Sequence, residues 1–225
     1  TKSDTEVLAH ALRQWGADAY TKCEGMWAAA WFDQRTKKVF LARDRFGEKP
    51  LFIWTTNHGI YFASEVKGLA DLAGHWPEVN IKQVNRYLVN GYKALNKTKD
   101  CFFEGVTQLS AGSLLEIDPT LAMSEKRYWI PEVNIDESLT FDEAVDKARD
   151  SLIRAVELRL RSDVPIAFCM SGGIDSNSLI SIAYKVFQHE VHGFTIVGED
   201  PRYDERELVS YAVGEQKIKH TTVAI

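Results

Sequence analysis

Apolar residues recur at helical spacing in Val7, Leu8, Ala11, Leu12 and Trp15, which predicts a helix from about Asp4 to Trp15. Ser3 and Glu6 form an S-x-x-E pair at its start, the pattern in which each side chain satisfies a backbone N–H. The period then shortens. Trp27–Phe32, Val39–Arg43, Leu51–Thr55 and Ile60–Ala63 read as strands, separated by polar turns at Asp33–Lys37 and Asn57–Gly59. Strands this closely spaced, with hairpin turns, predict an antiparallel sheet. A helix around Ile81–Tyr92 and strands near Ser113–Ile117 and Arg127–Trp129 complete this half.

The pattern changes after Pro131. Thr140–Leu160 carries an apolar stripe that includes Phe141, Val145, Leu152, Val156 and Leu160, which predicts one long helix. Ile166–Met170 is a continuous apolar run of the kind found in a strand covered on both faces. Helix Ser176–Phe187, strand Val191–Val197, helix Asp204–Glu215 and strand Thr221–Ile225 follow. Strands alternating with helices of this length predict a parallel sheet with right-handed crossovers. The chain therefore divides into residues 1–130 and 139–225, joined by an acidic polar link at 131–138. Its opening at a helix cap and its stop inside a strand lead us to expect a fragment lacking both ends.

Composition narrows the function classes only a little. The 225 residues are 45% hydrophobic and 26% charged, the ordinary balance of a globular protein. A net charge of −5 argues against a nucleic-acid partner, because such binders carry basic patches that displace counterions. The basic cluster Arg35–Lys38 reads as a solvated hairpin turn. No run approaches the roughly 20 apolar residues of a membrane helix, so no membrane partner is expected. Cys23, Cys101 and Cys169 match no metal spacing and suggest a reducing compartment, with the cytoplasm as the default. All three sit inside element patterns and read as buried structural thiols.

The chemistry lies in Pro165–Ser176, where a strand runs through Met170 into Ser171-Gly-Gly-Ile-Asp-Ser176 and then a helix. Gly172 and Gly173 lack Cβ atoms, so the backbone can turn sharply and bring N–H groups close to a phosphate. The helix N-terminus adds donors and positive partial charge. Ser171 and Ser176 offer hydroxyls, whereas Asp175 would face phosphate only through a bridging Mg²⁺. The P-loop pattern G-x-x-x-x-G-K-[ST] and its lysine are absent. The stretch resembles the S-G-G-x-D-S signature of ATP pyrophosphatases, which cut ATP between the α- and β-phosphates. At roughly 7% usage per residue, five fixed positions recur by chance about once per million windows. That resemblance implies ATP binding by Met170, Ser171, Gly172, Gly173, Asp175 and Ser176, with Ile196 of the next strand beside the nucleotide. Met170 and Ile196 read equally well as core residues. Tyr203, Asp204 and Glu205 fall at the carboxyl edge of the sheet, where α/β proteins bind ligands, although Asp204 also suits a helix N-cap.

The first half decides among the enzymes that carry such a loop. Its opening Ser3–Leu8, then Glu24-Gly-Met-Trp-Ala-Ala-Ala-Trp-Phe-Asp33, then Leu41-Ala-Arg-Asp-Arg-Phe-Gly-Glu-Lys-Pro-Leu-Phe52, then Phe62-Ala-Ser-Glu-Val-Lys-Gly-Leu69 resemble the glutaminase domain of glutamine-dependent asparagine synthetases. The resemblance covers essentially the whole chain. It implies an α+β, α/β/β/α glutaminase of the N-terminal nucleophile hydrolase type, followed by an α/β, Rossmann-like, parallel-sheet ATP pyrophosphatase domain. It further implies ATP and Mg²⁺ as cofactors, glutamine as amide donor, aspartate or another carboxylate as acceptor, and a homodimer. Asp4 matches the family aspartate that holds the α-ammonium of glutamine, although an acid also suits the first turn of a helix. Arg43, Asp44, Gly47, Ser64 and Glu65 read as scaffold, with an Arg43–Asp44 pair holding the sheet edge.

The match departs where that family carries its nucleophile, an N-terminal cysteine. Thr1 aligns downstream of it, and a threonine nucleophile would begin a strand, whereas Thr1 precedes a helix cap. We therefore expect no glutamine hydrolysis by these residues alone. Two other readings stay open: a sibling amidotransferase acting on a sugar carboxylate in surface-polysaccharide synthesis, and a noncatalytic nucleotide-binding or scaffold fragment that keeps the fold.

Overall fold

The computed structural model describes residues 3–95, 97–198, 205–216 and 218–224, and the chain forms two compact units, 1–133 and 134–225. In the first, helix α1 (Asp4–Trp15) starts at Ser3, whose hydroxyl accepts the Thr5 N–H, and leads into a 3₁₀ segment, Gly16–Lys22. Strands β1 (Ala28–Asp33) and β2 (Lys38–Arg43) form a hairpin that pairs Asp33 with Lys38, and the Asp33 carboxylate ties its turn through Arg35 N and Thr36 Oγ1. Strands β3 (Phe52–Thr56) and β4 (Gly59–Ala63) form a second, tighter hairpin. Helices α2 (Val66–Ala73) and α3 (Ile81–Asn90) precede β5 (Val106–Gln108), β6 (Ser113–Ile117) and β7 (Met123–Arg127). The strands make two antiparallel sheets, ordered β1-β2-β6-β7 and β4-β3-β5.

The period of two sorts the side chains into layers. Val39, Leu41, Leu115 and Ile117 of one sheet meet Ile53, Ile60 and Phe62 of the other. The opposite face of the first sheet turns Phe40, Ala42 and Leu114 toward Leu12 of α1 and Tyr20. The opposite face of the second turns Trp54 and Tyr61 toward Leu69 of α2. The order is helix, sheet, sheet, helix.

The expected strand at Arg127–Trp129 lies earlier, in β7, every residue of which is exposed. The register Ser113↔Arg127 to Ile117↔Met123 sets its limits, and Tyr128 and Trp129 both donate to Gly112 O at its end. Tyr128 instead joins a ring cluster with Tyr20 and Trp27, and its hydroxyl donates to Arg43 O at 2.7 Å.

In the second unit, α4 (Phe141–Arg159) begins with a complete capping box between Thr140 and Glu143. Strands β8 (Ala167–Cys169), β9 (His192–Val197) and β10 (Lys219–Ala224) form a parallel sheet with β9 in the centre. Helix α5 (Ile174–Ser181), continued by a π turn to Val186, and α6 (Arg206–Gln216) connect them. Val156, Met170, Ile180, Ala183, Val191 and Val209 are the centre of the core. The expectation that the first strand is covered on both faces does not hold. Phe168 and Met170 pack inward, whereas Ala167 and Cys169 are exposed. Alanine and cysteine hid the alternation, because both count as apolar.

Candidate functional site

Met170 directly follows β8 and leads into the loop Ser171–Ser176. Its side chain is buried in the core, its N–H donates to Phe194 O at 2.8 Å, and its carbonyl accepts the Thr195 hydroxyl at 2.8 Å. The chain then turns over Ser171–Gly173, and α5 begins at Ile174, two residues earlier than the sequence suggested. Asp175 is therefore in the first helical turn, exposed to solvent.

The loop is tied by its own polar groups. Ser176 Oγ lies 2.9 Å from Ser171 Oγ and accepts the Ser171 N–H at 3.3 Å, while Gly173 N–H donates to Ser171 Oγ at 3.2 Å. Asn177 Nδ2 donates to Ser171 O and Gly173 O, at 3.0 and 2.8 Å. That fixes the orientation of the amide and leaves Asn177 Oδ1 buried without a partner among the described residues. Gly172 N–H donates to Glu205 Oε2 at 3.0 Å, so a carboxylate sits at a donor that the sequence assigned to phosphate. Gly172 also has a steric reason to be glycine, since a Cβ there would lie 2.7 Å from Leu208 Cδ1 and 2.9 Å from Leu208 Cβ.

Ser171, Gly172, Gly173, Asp175 and Ser176 are thus brought together at one strand–helix junction. Ile196 is 68% exposed on β9, whereas Met170 is a core residue. Thr1, Tyr203 and Asp204 lie outside the described residues. Among the described residues no group of three or more His, Cys, Asp or Glu side chains is placed to hold a metal.

In the first unit, an open cavity of about 830 Å³ lies beside α1. Asp4 and Thr5 from the opening block, Glu24 and Trp27 from the second, Lys49 from the third and Ser64 from the fourth all line it. Sequence reading put Asp4 in a site but treated Ser64 and the third block as scaffold. The four blocks converge on one wall because α1, the start of β1 and the connecting residues Lys49, Pro50 and Ser64 all border it; their spacing alone carried no sign of it. Asp4 Oδ1 accepts the Thr5 N–H at 2.7 Å.

The third block is organised by buried Asp44 and half-buried Arg43, which do not pair with each other as expected. Asp44 is fully buried and accepts four backbone N–H groups, from Phe46 and Glu48 on Oδ1 and from Trp27 and Lys49 on Oδ2. Burial pushes its carboxyl up, but the four donors together hold it below the usual aspartate range. Arg43 turns the other way and donates to the carbonyls of Lys49, Gly47 and Leu109. Gly47 is left-handed, with φ +66°, and a Cβ there would meet Arg43 Cζ at 3.0 Å. Backbone geometry, rather than an ion pair, fixes Lys49 and Pro50 at the cavity.

The cysteines fit the buried-thiol expectation only in part. Cys23 lines the cavity, donates to Ala19 O at 3.4 Å, and has its thiol pushed up by burial against a smaller opposing effect of Arg45. Cys101 is half-buried and raised by the same cause. Cys169 is exposed, because it lies on the open face of β8.

The family model described as glutamine amidotransferase domain matches residues 1–129, more than half of the chain. The chain belongs to the glutamine amidotransferase family. A second model, described as asparagine synthase, matches residues 147–225 of this amidotransferase chain. Among curated relatives, asparagine synthetase [glutamine-hydrolyzing] 2 of Bacillus subtilis is 34% identical over 88% of the chain and 27% of its own length. Asparagine synthetase [glutamine-hydrolyzing] 1 of the same organism is 30% identical over 100% of the chain and 35% of its own length. A putative asparagine synthetase [glutamine-hydrolyzing] 2 of Methanocaldococcus jannaschii is 28% identical over 98% and 42%. The chain therefore spans less than half the length of each of these relatives.

Proposed function

We propose that this amidotransferase chain is part of a glutamine-dependent asparagine synthetase, which uses ATP to activate the side-chain carboxylate of aspartate and ammonia from glutamine to amidate it. Residues 1–130 are assigned to an N-terminal nucleophile hydrolase-type glutaminase, 131–138 to a linker, and 139–225 to the start of a Rossmann-like synthetase domain. The observation that carries this reading is Ser171–Ser176 at a strand-to-helix junction, with no room for a side chain at Gly172. Compact backbone turns of this kind suit phosphate oxygens, and the internal bonds of Ser171, Gly173 and Ser176 are those a pyrophosphate would replace.

A carboxylate is a poor electrophile, and transfer of AMP to its oxygen creates a leaving group. The N–H and hydroxyl groups of the loop would stabilise charge on the departing pyrophosphate. Asp175, exposed in the first turn of α5, is the residue that would hold a Mg²⁺ at this loop, and the metal would supply charge neutralisation. The unpartnered Asn177 Oδ1 beside the loop would add a hydrogen-bond acceptor for a hydrated cation there. In the first unit, Asp4 on the cavity wall would hold the α-ammonium of glutamine.

ATP–pyrophosphate exchange by the complete protein tests this, with aspartate and with uronic acids as acceptors. Aspartate-dependent exchange is expected. Exchange that ignores aspartate but responds to a uronic acid would move the assignment to a sugar-carboxylate amidotransferase, and no exchange with either acceptor would leave the noncatalytic reading.

A further inference from the structure

Beneath the nucleotide loop lies a hydrogen-bonded chain to which the function above gives no task. Thr195 is 4% exposed in the middle of β9. Its hydroxyl lies 2.8 Å from Met170 O and 2.9 Å from His220 Nε2 of β10. A hydroxyl has one hydrogen, and a carbonyl oxygen can only accept. The proton of Thr195 is therefore committed to Met170 O, so His220 Nε2 must be the donor to Thr195. Neutral His220 is fixed in its Nε2–H form by this arrangement.

The Met170 carbonyl shares a rigid peptide plane with the Ser171 N–H. Holding that carbonyl sets the direction of the first N–H of the loop, which now points at Ser176 Oγ from 3.3 Å. The other side of Met170 is held as well, through its N–H to Phe194 O. A Cβ at Gly193 would lie 3.1 Å from Met170 Sδ and 3.5 Å from His220 Cδ2, so both side chains rest against one bare stretch of β9.

We infer that Thr195 and His220 are positioning residues for nucleotide binding, the imidazole fixing the hydroxyl and the hydroxyl aiming the Ser171 N–H at the phosphate. The inference rests on the reading of Ser171–Ser176 as a grip on ATP. Neither residue touches the nucleotide; both act through the Met170–Ser171 peptide.

The test uses the complete protein with Thr195→Val, which keeps the shape and removes the hydroxyl, and Thr195→Ser, which keeps the hydroxyl. Calorimetric titration with ATP and Mg²⁺ is expected to show affinity falling about tenfold in Thr195→Val and holding within about twofold in Thr195→Ser. Thr195→Val with wild-type affinity overturns the inference. Should Thr195→Val not fold, His220→Leu and His220→Gln replace it: the leucine is expected to lose about as much, and the glutamine, which keeps an N–H donor, to retain most of the affinity. Equal affinity in those two variants overturns the inference. Wild-type protein that binds no ATP sinks the nucleotide reading instead. Nitrogen NMR of the imidazoles then decides the pair, with a bare Nδ1 and a protonated Nε2 on neutral His220 expected, and the reverse tautomer overturning it.

Discussion

Replacing Asp44 by asparagine removes one charge and turns one acceptor into a donor, without changing shape. Each carboxylate oxygen of Asp44 accepts two backbone N–H groups, at 3.0 and 3.1 Å on Oδ1 and at 3.0 and 3.2 Å on Oδ2. An asparagine can keep one of these pairs; its NH₂ group then faces the other two donors. Hydrogen bonds to a charged group are worth about 1.5–3 kcal/mol each, so losing two costs about 3–6 kcal/mol. That is comparable to the whole stability of a marginal domain, about 5–15 kcal/mol. Urea unfolding followed by tryptophan fluorescence should show the first unit losing at least about 1 M in midpoint, or failing to fold. The pH dependence follows from the same geometry. The folded-state pKa of Asp44 lies below its ordinary value, so its stabilisation is present above the unfolded value, about 3.9, and is lost as pH falls through the folded one. Wild type should therefore shed stability in acid by a component that Asp44→Asn lacks. A loss under about 1 kcal/mol, or an identical acid profile in both proteins, would refute the account of Asp44 as the hub of residues 44–49.

Two further outcomes are expected. Gly172→Ala should destabilise the second unit by about 1–3 kcal/mol through its clash with Leu208, and Leu208→Ala should recover part of that; an unchanged urea midpoint in Gly172→Ala would remove the steric argument. Brief alkylation with iodoacetamide, read by mass spectrometry, should label Cys169 well before Cys23 and Cys101, whose thiols burial keeps protonated. Faster labelling of Cys23 would contradict its place in the structure.

Strongly periodic segments were legible. Helix α1 has the limits read from the spacing Val7-Leu8-Ala11-Leu12, and Ser113–Ile117 matches its strand because every second residue is needed between the sheets. Two elements escaped notice for different reasons. β5 has only three residues, too few to show a period. α2 does carry Val66, Leu69, Ala70 and Ala73 at helical spacing and ends at Gly74 in the left-handed conformation, so its signal was present and overlooked. The loop Ser171–Ser176 could be read because its glycines and hydroxyls are contiguous. The cavity at Asp4 could not, since its wall is assembled from four distant blocks. Thr195 and His220 are 25 residues apart and meet only because β9 and β10 are parallel neighbours. The roles of Arg43 and Asp44 were misjudged because adjacent opposite charges suggest a pair, whereas neighbouring positions at a strand end point away from each other.

The contact between Glu205 and Gly172 means that the loop already holds a tethered ligand. A carboxylate on the same chain competes at a high effective concentration, independent of how much protein is present. Any free anion that takes the Gly172 N–H must first displace it, so the affinity observed is a difference between two occupants. Replacing Glu205 by a residue that cannot accept this hydrogen bond, or shortening it to aspartate, would then tighten anion binding at Gly172. On the proposed reading of the loop as a phosphate grip, its strength is therefore set in part by Glu205, the residue just ahead of α6.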